Sequence, residues 1–164
     1  MMEQSREQQF IAEIIRHKGI IFRICRIYQK EKSAQDDLYQ DILLNAWNSF
    51  PRFEGRTKFS TWLYRVALNT ALHQRRKNRI FENIVGLEHA ENYSDQDSQG
   101  EQLEKLRAAI NTLDTTEKSI VVLYLDELPY KEISEITGLT ETNVGVRLNR
   151  IKIKLKEYFE AYGT

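Results

Sequence analysis

Gly138 separates two runs of helical periodicity, and that interruption constrains the fold of this chain more than any other feature. Before it, Ile133 and Ile136 fall on one side of a short helix. After it, Val144, Leu148, Ile151 and Leu155 recur at intervals of three and four, the buried stripe of a second helix. A glycine just past a helix end adopts the left-handed conformation that lets the chain reverse. Thr140 is then placed to cap the second helix, its hydroxyl accepting from a free amide in the first turn. Helix, tight turn and helix make a helix-turn-helix, whose second helix lies in the major groove of DNA. Arg147, Arg150, Lys152, Lys154 and Lys156 follow Glu141 with no acid among them, the sign that phosphates require. A basic helix end is also what the helix dipole favours in any protein, so this charge run alone does not separate a DNA reader from a solvated hairpin.

The charge map separates them further. The net charge of the 164 residues is zero, yet the residues up to Arg79 carry 15 basic and 8 acidic side chains, whereas Ile80 to Lys118 carry 3 and 9. Neutrality overall therefore conceals a basic front half, and distribution is what matters for a nucleic-acid partner. The length admits one domain or two small helical ones, and two cores joined by an acidic linker fit the map better.

Taken in order, Phe10, Ile11, Ile14 and Ile15 mark a first helix over about Ser5–Lys18, with a break at Gly19 and a second helix over Ile20–Lys30. Cys25, the one cysteine, lies among apolar residues and reads as a small buried hydrophobe. Ser33 is placed to cap a helix from Ala34 to about Ser49, with Asp36 and Asp37 in its first turn. Leu38, Ile42, Leu43, Ala46 and Trp47 face inward on this helix; Asp37, Gln40, Asp41, Leu44 and Asn45 leave an outer strip of acids and amides. Pro51 ends it. Ser60 is placed to cap a long helix to about Arg79, with Leu63, Val66, Ala67 and Thr70 as its core line. The neighbouring line is Trp62, Arg65, Asn69, Leu72, His73 and Arg76, with Arg75, Lys77 and Arg79 extending its charge. An aromatic ring, an amide and guanidinium groups on one face suit stacking on unpaired bases, hydrogen bonding to their edges and neutralisation of phosphates. A buried indole beside a solvated helix end is the plainer alternative.

Periodicity fades from Ile80 to Gln102, where Tyr93 to Gly100 has the polar, acidic composition of a linker and Ile84, Val85 and Leu87 mark a short docked turn. Leu103, Leu106, Ile110 and Leu113 mark the next helix. Asp114 and Glu117 form a capping box that opens a helix through Ile120 to Leu125, and the tail from Glu157 frays.

The residue pattern excludes several chemistries. His17, His73 and His89 share no metal-ligand spacing with one another or with Cys25, so no metal and no other cofactor is expected. Neither a phosphate-binding glycine loop nor a nucleophile elbow occurs. No apolar run approaches membrane-spanning length, and the start lacks a signal-peptide core, which leaves a soluble cytoplasmic protein as the expectation. The chain reads as a binder without catalysis of its own.

Two distant stretches then agree with one family. Asp37-Leu38-Tyr39-Gln40-Asp41 with Trp47 resembles the core-binding part of region 2 of bacterial RNA polymerase sigma factors. Arg52-Phe53-Glu54-Gly55 and Phe59-Ser60-Thr61-Trp62-Leu63-Tyr64-Arg65-Val66-Ala67-Leu68-Asn69-Thr70-Ala71 resemble its promoter-melting part, and Leu128 to Arg150 resembles region 4. The likeness is to the small extracytoplasmic-function (ECF) group and spans nearly the whole chain except the linker and ends. It implies an all-α protein: a region 2 bundle over residues 1–80, a flexible acidic linker over 81–101 and a region 4 helix-turn-helix over 102–164.

The resemblance also implies roles. Asp37, Gln40, Asp41 and Asn45 would contact the clamp helices of the polymerase β′ subunit. Trp62, Arg65, Asn69, His73, Arg75, Arg76 and Lys77 would grip the opened minus-ten element and a base flipped from its non-template strand. Thr142, Asn143, Arg147, Asn149, Arg150 and Lys154 would read the duplex minus-thirty-five element, with the β flap as a further contact of region 4. An anti-sigma factor is an expected partner. The chain departs from the family pattern where Gly145-Val146 replace a common basic residue and Ser before Arg147, and where Pro129 replaces a common Ser. Two other readings remain open: a free-standing helix-turn-helix regulator that binds duplex operators, and a helical protein-interaction module.

Overall fold

The computed structural model describes the backbone of residues 1–85 and 98–162 and, within these, all side chains except those of 75, 77–85, 98 and 99. Every regular element among them is helical. The chain divides into two compact units, Met1–Ile80 and Phe81–Thr164.

The first unit opens with α1 (Met2–Tyr28), which runs unbroken through Gly19, where the sequence suggested a break. The buried positions Phe10, Ile14, Ile21, Ile24 and Cys25 keep one helical phase across the glycine. Burying a side chain such as Ile21 or Ile24 stabilises by about 1.5–3 kcal/mol, which outweighs the roughly 1 kcal/mol that a helical glycine costs. Ile11 and Ile15, expected on the core face, lie outside that phase and are exposed. Next, α2 (Lys32–Ser49) begins two residues earlier than expected, so Ser33 lies inside the helix and Asp36 and Asp37 lie beyond its first turn. No side chain caps it; the preceding turn is instead held by the Gln35 amide, which donates to the Gln29 and Lys30 carbonyls at 3.0 and 3.3 Å. Trp47, also expected to face inward, remains partly exposed with its ring against Phe10. A single 3-10 turn, Phe50–Arg52, carries Pro51 and leads toward α3 (Phe59–Val85).

The start of α3 also precedes the expected cap. The Trp62 amide donates to the Lys58 carbonyl, so Ser60 lies within the first turn. Phe59 is buried in a cluster of rings with Phe50, Phe53 and Trp62, and that burial draws the helix start back. Ile21, Ile24, Leu38, Ile42, Ala46, Leu63 and Ala67, contributed by all three helices, are fully buried and form the core of this unit. The helix continues past Arg79 to Val85, so the expected linker 81–101 begins in helix, and it ends in helix because α4 (Ser98–Asn111) has already started. The short turn expected at Ile84, Val85 and Leu87 is not seen at its first two residues, which lie within α3; Leu87 and the rest of residues 86–97 lie outside the described residues.

The second unit holds α4, α5 (Thr115–Leu125), α6 (Tyr130–Thr137) and α7 (Glu141–Tyr162). The capping box is present: Asp114 accepts from the Glu117 amide at 2.8 Å, and Glu117 accepts from the Asp114 amide at 3.2 Å. Ile110, Ile120, Leu123, Ile133, Leu148 and Ile151 form the core. Lys118 is buried among them, its ammonium donating to the Asn111 side-chain oxygen at 2.6 Å, which meets the requirement that a buried charge be hydrogen-bonded. Gly138 ends α6 at φ 79°, the left-handed cap that the sequence demanded, and the Thr140 hydroxyl accepts from the Asn143 amide at 3.1 Å to start α7. The tail expected to fray from Glu157 is helical to Tyr162, where the Tyr158 and Tyr162 rings, one turn apart, lie 5.0 Å from centroid to centroid.

Candidate nucleic-acid and protein interfaces

In the first unit, α2 and α3 each present an outer face. Asp37, Gln40, Asp41, Leu44 and Asn45 are all exposed on α2, and Leu44, at 58% exposed, is an apolar centre within an acid and amide rim. On α3, Asn69, His73 and Arg76 are exposed, and Trp62, Arg65 and Leu72 are half-buried. These residues follow helical spacing, so the face runs as one row along the helix axis. Its first member is held by packing: the Trp62 ring lies 5.2 Å from both the Phe53 and Phe59 rings and 6.1 Å from Phe50. An indole fixed in this way and left partly open can meet a base without first losing side-chain freedom. The side chains of Arg75 and Lys77, assigned to the same face, lie outside those described.

A pair of side-chain bridges ties the α2 strip to α3 beside its row. Asn45 donates from Nδ2 to the Thr70 hydroxyl at 3.0 Å, and that hydroxyl donates to the Val66 carbonyl at 2.7 Å. One turn away, the Gln74 amide donates to an Asp41 carboxylate oxygen. Asp41 and Asn45 are four apart, as are Thr70 and Gln74, so consecutive turns of two antiparallel helices are bridged in register. Polar residues at this spacing on both helices were the available signal; Thr70 was instead assigned to the core line, where it does lie, 6% exposed.

In the second unit, Thr142, Asn143, Val146, Asn149, Arg150 and Ile153 are exposed along the outer side of α7, and Arg147 is half-buried at its edge. Lys154 is placed differently. Its ammonium pairs with Glu117 of α5 at 2.6 Å, and that carboxylate is nearly buried while the lysine remains half exposed. Lys154 thus ties the second helix of the helix-turn-helix to the capping box of α5, with its charge compensated by that carboxylate. Lys152 lies over the Tyr124 ring, 4.8 Å from its centroid, a cation–π contact that likewise holds α7 against α5.

Among the described residues, no three His, Cys, Asp or Glu side chains come together as a metal site, and no helix is long and apolar enough to cross a membrane. Cys25 is 2% exposed, and burial pushes its thiol up to about 12, with the Asp36 charge adding to the effect. The Tyr39 hydroxyl is raised by burial as well, with Cys25 contributing.

Comparison with known proteins places both units in a single family. The model of Sigma-70 region 2 matches residues 14–80, and that of Sigma-70, region 4 matches residues 103–155. The ECF RNA polymerase sigma factor SigW of Bacillus subtilis is 26% identical over 167 residues, covering 92% of this chain and 89% of that protein. The RNA polymerase sigma factor CnrH of Cupriavidus metallidurans is 26% identical over 162 residues, with 90% and 85% covered. Among solved structures, CnrH in complex with the cytosolic domain of CnrY matches with a TM-score of 0.73 at 20% identity, over 95% of this chain and 90% of that one. RpoE in complex with the anti-sigma factor NepR from Bartonella quintana matches at 0.72 and 21%, over 94% and 99%. With region 2 and region 4 present in that order, and with ECF sigma factors matching along almost its entire length, the chain belongs to the ECF group of the sigma-70 family, non-enzymatic factors that act in transcription initiation.

Proposed function

We propose that the chain divides initiation between its two units: residues 1–80 bind core polymerase and the opened minus-ten element, residues 102–164 hold the duplex minus-thirty-five element, and residues 81–101 connect them. Asp37, Gln40, Asp41 and Asn45 meet the β′ clamp helices around the apolar Leu44. Trp62, Arg65, Asn69, His73, Arg75, Arg76 and Lys77 take the non-template strand as it separates. Thr142, Asn143, Arg147, Asn149 and Arg150 face the duplex, Lys154 holds their helix in place through Glu117, and region 4 also meets the β flap. The observation that carries this reading is the α3 row itself, an anchored indole followed by an exposed amide, imidazole and guanidinium on the helix directly bridged to the α2 strip. Extruding a base costs a few kcal/mol, and a site available only to the extruded base offsets that cost at the moment of opening. The chain supplies no reaction of its own; it lends the polymerase sequence recognition and traps melted DNA. The setting is the cytoplasm, and an anti-sigma factor is a further partner, as RpoE has in its complex with NepR.

The test is run-off transcription with purified core enzyme and the full chain over a pool of genomic fragments. Transcripts that start at discrete promoters only when the chain is present support the reading. Duplex binding by the chain alone at physiological salt, with no promoter-dependent transcript, would replace it with a free-standing regulator. Asp41→Arg, which reverses the charge of an exposed α2 position, abolishes co-purification with core polymerase if the α2 strip is the contact.

A further inference from the structure

Among the exposed side chains in the first turns of α7, Val146 is apolar and its neighbours are polar. Val146 is 44% exposed and lies one turn beyond Thr142 and just before the turn of Asn149 and Arg150, all three exposed. Gly145 beside it carries no side chain, and a Cβ there would lie 3.4 Å from the Tyr130 ring, so that ring already occupies the flank next to the valine. Between Asn143 and Arg147 the helix therefore offers no side-chain donor or acceptor; it offers two methyl groups.

Resting on the reading of α7 as the helix that enters the duplex, we propose that Val146 reads a thymine through its C5-methyl group. The N-terminal residues of such a helix contact base edges, which places Val146, rather than the exposed Ile153 two turns further on, against the bases. The thymine methyl is the one apolar substituent among the donors and acceptors that base pairs present in the major groove. A thymine methyl pressed against Val146 loses its water and gains apolar contact, which cytosine, adenine and guanine, having no methyl there, do not. The valine thus selects through its own methyls, which gain apolar contact with the thymine methyl and form no hydrogen bond to any base. The position read is one base pair, between those reached by Thr142 or Asn143 and those reached by Asn149 or Arg150.

The experiment uses the full chain with core polymerase and two promoter libraries that share a randomised minus-thirty-five block, synthesised with thymine in one and with deoxyuridine in the other. Deoxyuridine removes the methyl group and keeps every hydrogen bond. Templates that yield run-off transcripts are sequenced. One block position is expected to enrich for thymine, its enrichment falling about fourfold in the deoxyuridine library, the effect of burying one methyl group. With Val146→Ser, which substitutes an exposed side chain without touching the core, the two libraries are expected to give the same enrichment at that position. Equal enrichment in both libraries with the unsubstituted chain would overturn the inference and leave the promoter reading intact, as would a methyl effect that survives Val146→Ser. Absence of promoter-dependent transcripts from both libraries would overturn the promoter reading and the inference with it.

Discussion

Replacing Glu117 by Ala is expected to weaken the second unit while leaving the first unchanged. The carboxylate accepts the Asp114 amide at 3.2 Å, closing the capping box of α5, and receives the Lys154 ammonium of α7 at 2.6 Å. The Asp114 cap itself survives, because it accepts from the backbone amide of residue 117; what is lost is the one hydrogen bond from the Asp114 amide, about 1 kcal/mol. The ion pair has one nearly buried partner and one half-exposed partner, so solvent screening limits it to about 1 kcal/mol. The total, about 2 kcal/mol, corresponds to a fall in melting temperature on the order of 10 °C for a unit of this size. Both tryptophans of the chain, Trp47 and Trp62, lie within Met1–Ile80, which supplies an internal control. Tryptophan emission follows the first unit, whereas far-ultraviolet circular dichroism follows all the helices. Urea and thermal titrations of the full chain should therefore show the dichroism midpoint moving while the fluorescence midpoint stays. A shift of equal size in both signals, or in neither, would refute the assignment of Glu117 to a local brace between α5 and α7.

Asn69→Ala alters an exposed position and should cost the fold no more than about 0.5 kcal/mol, yet weaken open-complex formation, read by permanganate reactivity of the minus-ten thymines, more than polymerase co-purification; equal loss of both would count against it. Gly138→Ala meets no atom within 4 Å, so its whole cost is the left-handed backbone at φ 79°, about 1 kcal/mol, and an unchanged dichroism midpoint would contradict that. Cys25 should resist iodoacetamide at pH 8 until the protein is unfolded in urea. Because its folded value lies above the usual 9.0, the neutral thiol is favoured in the fold; that stabilisation is complete below pH 9 and is lost as the pH rises toward about 12. Stability should fall less steeply across this window in Cys25→Ala, and parallel curves would disprove the linkage.

The helix-turn-helix was legible because its signals are local. A left-handed residue at Gly138, a hydroxyl at Thr140 and an Asp114–Glu117 pair each specify backbone geometry through atoms a few residues apart. Boundaries in the first unit were less legible because distant packing decides them. Gly19 offered a local break that the buried phase of α1 overrode, and Ser33 and Ser60 offered local caps that Gln35 and the Phe59 ring cluster displaced. Exposure along α3 followed the expected face, whereas the partners of Asn45, Asp41 and Lys154 come from other helices and leave no mark in a local pattern.

The bridges from Asn45 to Thr70 and from Gln74 to Asp41 limit how this protein can evolve. A substitution at position 41 or 45 that tunes the α2 surface also releases a side chain on α3, so that surface cannot drift independently of the helix behind it. Lineages that change the residue at 45 should carry a matching change at 70, and those that change 41 should carry one at 74, whatever promoters they come to serve.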